Sequence, residues 1–476
     1  MFSTSNISHT ASRVNAISFT EIISHTDISK KFALDASDKL VTTAGGRVTT
    51  AQARVITVDS PRGFLDRLNR ADSHTAFMYG RPVRSGDAFE IRPRVAIHAN
   101  SPDHVIARTR ENFGWPTGAG VFMLDYDPLP GSEPLTPEQV LARIYEVAPA
   151  LRSAAVVVKP SNSAFLFDTR TGAYIKGLRG THFYFFVADP RNIPSAGERL
   201  FDRLWAQGLG TGVISASGGF LRRSIIDASV WQPERLDFCG EPVCEAPIER
   251  RAPAAYLLNE NAPPVILETA IPPLSLAEKA LVSAHVNAER SRLGVESHEK
   301  RSSWAIRRVK STQSASLSTQ VFFDAAEKRV LYADFPLTLA SGERVTVGEI
   351  LAKPHVYNGL TCLDPLEPEY HGSEPVGFLN TCARRPYLRS LAHGGAVYQL
   401  RRSLSPATFS KIQSDRGRRS RSQAAAGRAS GAVRRELSED RRARAVELSL
   451  LGKRPAQIAK KLGVCERTVY LWLRAQ

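Results

Sequence analysis

Residues 122–128 read FMLDYDP, and this stretch decides how the first half of the chain is interpreted. Three apolar residues lead into Asp125 and Asp127, which only Tyr126 separates. Side chains alternate between the two faces of a strand, so both aspartates project to the same side. Two ionised carboxylates about 7 Å apart repel each other, and a divalent cation such as Mg²⁺ would stabilise them. The open alternative is a strand that ends in a solvated turn at Pro128.

Two later segments contain features of the same kind. Residues 176–187, KGLRGTHFYFFV, place His182 at the start of an aromatic strand after a basic turn. Residues 221–238, LRRSIIDASVWQPERLDF, place Asp227 after a second apolar lead. A single histidine on such a strand is more often a packed core residue than a ligand. Together, however, the segments give the order strand–DxD, strand–His and strand–Asp.

This order resembles the catalytic core of the archaeo-eukaryotic primase superfamily, especially the primase-polymerase domains of plasmids, phages and integrated elements. The resemblance covers about residues 50–250, and the segment IDASVWQPERLDF is similar to the one that follows the third carboxylate in those proteins. It implies a catalytic domain with a mixed sheet. One position departs from the family: its serine two places before the histidine is Gly180 here, which leaves Thr181, Ser161 or Ser163 to supply a hydroxyl.

The resemblance implies a DNA-dependent primase-polymerase that makes primers on single-stranded DNA from NTPs or dNTPs. Asp125, Asp127 and Asp227 would be the catalytic residues and would hold two Mg²⁺ or Mn²⁺ ions. The expected nucleotide contacts are His182, Lys159, Ser161, Arg222 and Arg223. A separate replicative helicase is an expected partner, because the sequence contains no GxxxxGK[ST] motif for a fused motor.

Two alternatives stay open. A non-catalytic replication initiator or transcription regulator would keep the fold and only bind DNA. A transposase-like recombinase would use the same acidic triad for metal-dependent strand cleavage. A relaxase or rolling-circle nickase is disfavoured, because none of the eleven histidines forms the His-hydrophobe-His pair that such enzymes need.

Composition favours a DNA-binding protein of the cytoplasm. The chain has 476 residues, is 42% hydrophobic and carries a formal net charge of +16, so its field attracts polyanions. No apolar run of about 18 residues predicts a membrane span, and the N-terminal residues lack the pattern of a secretion signal. Five scattered cysteines fit a reducing compartment.

Composition shifts along the chain predict an α+β protein of five segments. We expect an irregular lead-in, a catalytic domain, a helical connector with a small mixed accessory domain, a basic flexible linker and an all-α DNA-binding domain. Their predicted bounds are residues 1–50, 51–250, 251–405, 406–437 and 438–476.

The accessory segment contains a candidate zinc site. Two cysteines and two histidines, Cys362, His371, Cys382 and His393, have the chemistry of a tetrahedral site. Their spacing contains no CxxC or HxxxH pair. A degenerate accessory fold without metal is therefore the alternative.

The last forty residues predict three helices, at about 439–451, 455–462 and 466–474. Their pattern resembles the helix-turn-helix of resolvases, transposases and small regulators, with Gly463 at the turn. The resemblance implies that Glu466, Arg467, Thr468 and Tyr470 face duplex DNA. A helical protein-interaction tail is the alternative.

Overall fold

The computed structural model describes residues 16–474, apart from 44, 46–47, 99, 130, 313–317, 371, 393–394, 407, 411 and 415–437. In these residues α-helices accompany several small sheets, and the C-terminal part is helical. The predicted α+β class is confirmed. The chain divides into two compact units, Met1–Ser302 and Ser303–Gln476.

The four-stranded sheet that carries the DxD motif lies in the first unit. We call it the DxD sheet, its strand Gly120–Tyr126 the DxD strand, and its strand Thr181–Val187 the histidine strand. The order is DxD strand, histidine strand, Val156–Pro160 and Tyr256–Leu258, and all neighbours are antiparallel.

Both faces of the DxD sheet are buried. Phe122 and its neighbours on one face pack with apolar residues of helices Pro137–Val147 and Ile193–Ala206. On the other face, the ring of Tyr184 lies 5.4 Å from the ring of Phe64. Burial on both sides explains why these strands read as continuous apolar runs instead of alternating ones.

A second sheet of the first unit corrects the prediction for the N-terminal segment. Residues 1–50 were expected to be irregular, but Ile17–Ile23, Lys31–Leu34 and Leu40–Thr43 are strands. Ile17–Ile23 lies inside a five-stranded sheet and is almost entirely buried. Its polar residues are compensated by distant partners, since Glu21 pairs with Arg67. Residues 1–15 lie outside the described residues.

Further strands and helices complete the first unit. The five-stranded sheet has the order Thr75–Met78, Ile17–Ile23, Ala51–Val58, Ala88–Ile91 and Val105–Ile106. One small sheet contains Ala173–Lys176, Leu166–Asp168 and Ile248–Arg250, and another contains Val243–Cys244, Lys31–Leu34 and Leu40–Thr43. Two-stranded sheets are formed by Gly210–Ile214 with Phe220–Ser224 and by Arg81–Pro82 with Phe113–Gly114. The helices up to residue 312 are Pro61–Leu68, Pro137–Val147, Ile193–Ala206, Leu267–Ala270, Leu276–Arg292 and Gly294–Thr312.

The first unit extends beyond the predicted boundary at residue 250. Strand Tyr256–Leu258, inside the predicted helical connector, completes the DxD sheet. Helix Leu276–Arg292 begins at a capping box, in which the Ser275 hydroxyl accepts the backbone N–H of Glu278. Nε of Arg203 donates to Glu278 at 2.8 Å. A three-residue edge strand between prolines leaves too little periodicity to be recognised.

The second unit contains a five-stranded sheet and small helices. The strand order is Val330–Leu331, Ala396–Leu400, Tyr387–Ser390, Gly377–Asn380 and Thr361–Cys362, beside the hairpin of Pro336–Thr338 and Arg344–Thr346. Helices Thr319–Lys328, Val347–Ala352 and Pro354–Tyr357 accompany them. Most of the predicted basic linker, residues 415–437, lies outside the described residues.

Candidate active site and DNA-binding tail

Asp125 and His182 face each other on the DxD and histidine strands. The register pairs Asp125 with His182, and it pairs His182 with Lys159 on the next strand. Nε2 of His182 lies 3.4 Å from Oδ1 of Asp125. Directly opposed residues project to the same face of a sheet, so these three form one row across three strands.

Asp227 lies beside Asp125, although 102 residues separate them in sequence. The backbone N–H of Asp227 donates to the carbonyl oxygen of Asp125 at 2.9 Å. Four residues further on, Nε1 of Trp231 donates to the carbonyl oxygen of Met123 at 3.1 Å. The loop that carries the third carboxylate is therefore attached at two points to the DxD strand.

A glycine in the neighbouring helix makes room for this loop. The indole of Trp231 packs against Gly197, inside helix Ile193–Ala206. A Cβ at position 197 would lie 2.3 Å from Cδ2 of Trp231. Only a residue without a side chain leaves the indole in this position.

The hairpin that precedes Asp227 is supported by Glu289. Oε2 of Glu289 accepts the backbone N–H of Gly212 at 2.8 Å and lies 3.2 Å from the hydroxyl of Thr211. Arg292 donates to both carboxylate oxygens. Arg292, followed by these hairpin donors, lowers the pKa of Glu289 to about 2.

The carboxylate of Asp227 is occupied by local hydrogen bonds. Its Oδ1 accepts the backbone N–H of Ser229 at 2.9 Å, and its Oδ2 accepts the Ser229 hydroxyl at 2.7 Å. In the described part of the chain, no group of three or more His, Cys, Asp or Glu side chains is arranged to hold a metal ion. Asp227 thus lies close to Asp125 through its backbone, with its side chain directed to Ser229.

A fourth carboxylate, Asp237, lies behind His182 and was not predicted from the sequence. It is buried, and its Oδ2 accepts the hydroxyls of Tyr79 at 2.6 Å and Tyr184 at 2.9 Å. Its Oδ1 lies 3.4 Å from Nδ1 of His182. Both ring nitrogens of the histidine therefore face carboxylates. The phosphate contact expected of His182 stays a prediction.

The electrostatics of this group are dominated by burial and by its own charges. Burial, followed by Asp127 and Asp227 among the neighbouring carboxylates, raises the pKa of Asp125 to about 6, against the opposing effect of His182. Burial lowers the pKa of His182, but Asp125 and Asp237 outweigh it and the net pKa is raised. Burial raises the pKa of Asp237, yet His182 and the two tyrosine hydroxyls bring it below its ordinary value. The imidazolium is thus held between two carboxylates.

Gly180, next to the histidine strand, lies at a close approach to the DxD strand. A Cβ at this position would lie 2.7 Å from the carbonyl oxygen of Tyr126 and 2.8 Å from Oδ1 of Asp127. Ser161 approaches the same point, because its N–H donates to the carbonyl oxygen of Gly180 at 2.9 Å. Of the hydroxyls considered from the sequence, that of Ser161 is 3.1 Å from where this Cβ would lie.

The predicted basic contacts differ in their surroundings. Lys159 is buried, with Nζ 3.4 Å from Oδ1 of Asn162 and 3.7 Å from Glu241, and burial lowers its pKa. Arg222 donates to Asp202 at 2.6 Å and lies over the ring of Trp205, so it supports the hairpin.

Arg223 alternates to the opposite face of the same strand and is exposed. An open groove of about 430 Å³ is lined in part by Lys176 and Arg179, together with Glu133. Burial lowers the pKa of Lys176, and the nearby cations Arg179 and Lys30 lower it further. Positive charge thus accumulates along the turn that leads to His182.

The candidate zinc residues are only partly described. Cys362 is buried in the apolar core of the second unit, where burial raises the pKa of its thiol to about 12. Cys382 is exposed, and its sulfur lies 3.5 Å from Nδ1 of His355. His371 and His393 lie outside the described residues, so the zinc site stays a prediction.

The C-terminal helices have the predicted bounds to within one residue. They span residues 438–450, Pro455–Leu462 and Glu466–Arg474, and Gly463 ends the second helix in the left-handed region at φ 63°. Their apolar residues form one cluster, which contains Ala445, Leu448, Ile458, Ala459, Leu462, Val464, Val469 and Leu473. Glu466, Arg467 and Tyr470 are exposed and Thr468 is half-buried.

Comparison with known proteins identifies this C-terminal part. A protein-family model described as a homeodomain-like domain matches residues 436–476. No curated protein matches the chain. No solved structure matches it either. The predicted helix-turn-helix is confirmed, and it suggests that the protein binds duplex DNA. Among the described helices, none has the length and apolar character needed to cross a membrane.

Proposed function

We propose that the protein is a DNA-dependent primase-polymerase of a plasmid, phage or integrated element, which makes primers on single-stranded DNA by two-metal nucleotidyl transfer. The observation that supports this most strongly is the meeting of three sequence segments at one end of the DxD sheet. Asp125 and Asp127 come from the first, His182 from the second and Asp227 from the third. The order and residue types are those of the primase-polymerase resemblance.

The acidic residues fit a divalent cation by their chemistry. The raised pKa of Asp125 reflects carboxylates crowded in a buried place, and such crowding is relieved by a hard cation. Asp227 would complete the set of ligands if its carboxylate turned away from Ser229. When bound, the cation supplies charge neutralisation of the triphosphate and a lowered pKa of the primer 3′-hydroxyl.

The residues behind the carboxylates hold them in position. Asp237 and its two tyrosines fix the ring of His182, and the positive ring fixes Asp125. Lys159, next in the row, adds a second buried cation on the same face. We expect the triphosphate to approach from the side of Arg179 and Lys176, where positive charge accumulates.

The helix-turn-helix gives this enzyme a second DNA-binding site. Arg467 and Tyr470 are exposed on its last helix. Binding of duplex DNA through a connected domain raises the local concentration of template near the active site. We infer that the tail directs synthesis to chosen sites, such as an origin.

The test is primer synthesis by the full chain on single-stranded DNA with NTPs, dNTPs and Mg²⁺ or Mn²⁺. We expect new oligonucleotides from the wild type and a loss of about 100-fold or more in rate for Asp125→Asn, Asp127→Asn or Asp227→Asn. Asp66→Asn, an exposed aspartate of helix Pro61–Leu68, is the matched control and should retain full activity.

A second candidate is a non-catalytic DNA-binding initiator or regulator. It is favoured by the helix-turn-helix match and by the two hydrogen bonds that occupy Asp227. Duplex binding that Arg467→Ala weakens, without any synthesis by the wild type, would select it. Cleaved template without extension would instead select the recombinase.

A further inference from the structure

One face of the five-stranded sheet in the second unit is open. Leu379, Leu388 and Tyr398 alternate into the apolar core. Their neighbours project to the other side, which we call the basic sheet face; it carries Phe378, Asn380, Tyr387, Arg389, Val397 and Gln399. Phe378 is 42% exposed and Val397 is 49% exposed, so in the described chain this face is not covered.

The side chains of the basic sheet face form two rows. In the first row the register aligns Phe378, Arg389 and Val397, so a guanidinium lies between two apolar groups. The second row contains Tyr387, whose hydroxyl accepts Nδ2 of Asn380 at 2.8 Å and is thereby oriented. Phe378 and Tyr387 are diagonal neighbours, which places their backbones about 7–8 Å apart.

The segment of sequence that carries these two rings, between Glu374 and Asp415, is basic. Residues 375–414 contain five arginines and one lysine, and they contain no aspartate or glutamate. Four of the arginines lie at the same end of the sheet, because Tyr387 pairs with Gln399 and the N–H of Leu400 donates to Pro386. They are Arg384, Arg385, Arg401 and Arg402, and all are exposed.

We propose that the basic sheet face binds single-stranded nucleic acid, with unpaired bases stacked on Phe378 and Tyr387. The ring of Phe378 is exposed and that of Tyr387 is half-buried, and aromatic rings on an open sheet face stack bases that are not paired. Arg389 lies among the rings and the four terminal arginines follow them, so the phosphates of the same strand meet positive charge throughout. This site is separate from the carboxylates and from the helix-turn-helix, and it does not depend on the proposed function.

The experiment compares two labelled strands of about 20 nucleotides by fluorescence anisotropy with the full chain. One is oligothymidylate, and the other is an abasic strand of equal length and charge. We expect the wild type to prefer oligothymidylate, and Phe378→Ala to bind it about 5- to 100-fold more weakly with little change for the abasic strand. Phe378→Tyr keeps a ring and should keep the preference. Arg389→Ala should reduce the slope of log affinity against log salt by about 0.7.

Two matched variants control for general effects of substitution. Phe409 is 56% exposed and Arg344 is exposed, and neither lies on the basic sheet face. Phe409→Ala and Arg344→Ala should leave both affinities unchanged. An unchanged preference in Phe378→Ala, or an equal loss in Phe409→Ala, overturns the proposal. An unchanged preference together with altered self-association of Phe378→Ala would assign the face to protein contacts instead.

Discussion

The DxD sheet and the five-stranded sheet of the second unit use their surfaces in opposite ways. The DxD sheet is buried on both faces, so its polar residues gather at one end, where Asp125, His182 and Asp237 compensate one another. The sheet of the second unit buries one face and leaves Phe378 and Arg389 exposed on the other. Buried polar groups have to be paired to be tolerated, whereas exposed ones do not. Substitutions at the paired end of the DxD sheet are therefore expected to destabilise the protein, whereas substitutions on the open face of the second sheet are not.

The largest difference between the two sheets is expected when Asp237 is removed. Asp237→Ala leaves a buried imidazolium and two tyrosine hydroxyls without their acceptor, and we expect it to lower the free energy of unfolding by about 3–5 kcal/mol. Arg389→Ala on the open face should change it by no more than about 0.5 kcal/mol. Urea unfolding of the two variants measures both values, and similar losses would contradict the comparison.

A smaller effect is expected at the close approach between the strands of the site. Gly180→Ala brings a methyl group against the Tyr126 carbonyl and the Asp127 carboxylate, so we expect a loss of about 1–3 kcal/mol. Gly177, three residues earlier, has no atom within 4 Å of an added Cβ. Gly177→Ala is the matched control in thermal unfolding. If the Gly180→Ala protein were as stable as this control, the site would accommodate the added methyl group and the expected loss would be contradicted.

The smallest effect is a pH dependence at the support of the Asp227 loop. The pKa of Glu289 is lowered to about 2 from 4.5, so the stability that it contributes is present above about pH 4.5 and is lost as the pH falls through 2. We expect Glu289→Gln to cost about 1 kcal/mol at pH 7, because the side chain is partly exposed, and progressively less in acid. Arg389→Ala, on strands without carboxylates, should show a difference that does not change with pH. A constant cost for Glu289→Gln would contradict the assignment.

The parts of the fold that the sequence predicts well are those determined locally. The C-terminal helices follow from apolar spacing and from Gly463 to within one residue. The order of Asp125, His182 and Asp227 was also readable, because each residue lies directly beside its own apolar run.

The parts that the sequence did not predict depend on distant partners. Asp237 is a single acid whose hydroxyl donors, Tyr79 and Tyr184, lie 158 and 53 residues away. Strand Ile17–Ile23 contains serine, threonine and glutamate, and its burial is possible only because Arg67 pairs with Glu21. No local pattern carries information of this kind. The direction of the Asp227 side chain, towards Ser229, likewise depends on the folded structure.

The contact between Gly197 and Trp231 limits how the thermal stability of this protein can be increased. Glycine inside a helix costs about 0.5–1 kcal/mol relative to alanine, so an engineer seeking heat tolerance would exchange it early. Alanine at position 197 would displace the indole of Trp231, and with it the loop that carries Asp227 towards Asp125. The glycine that destabilises the helix therefore provides the space that the Asp227 loop needs.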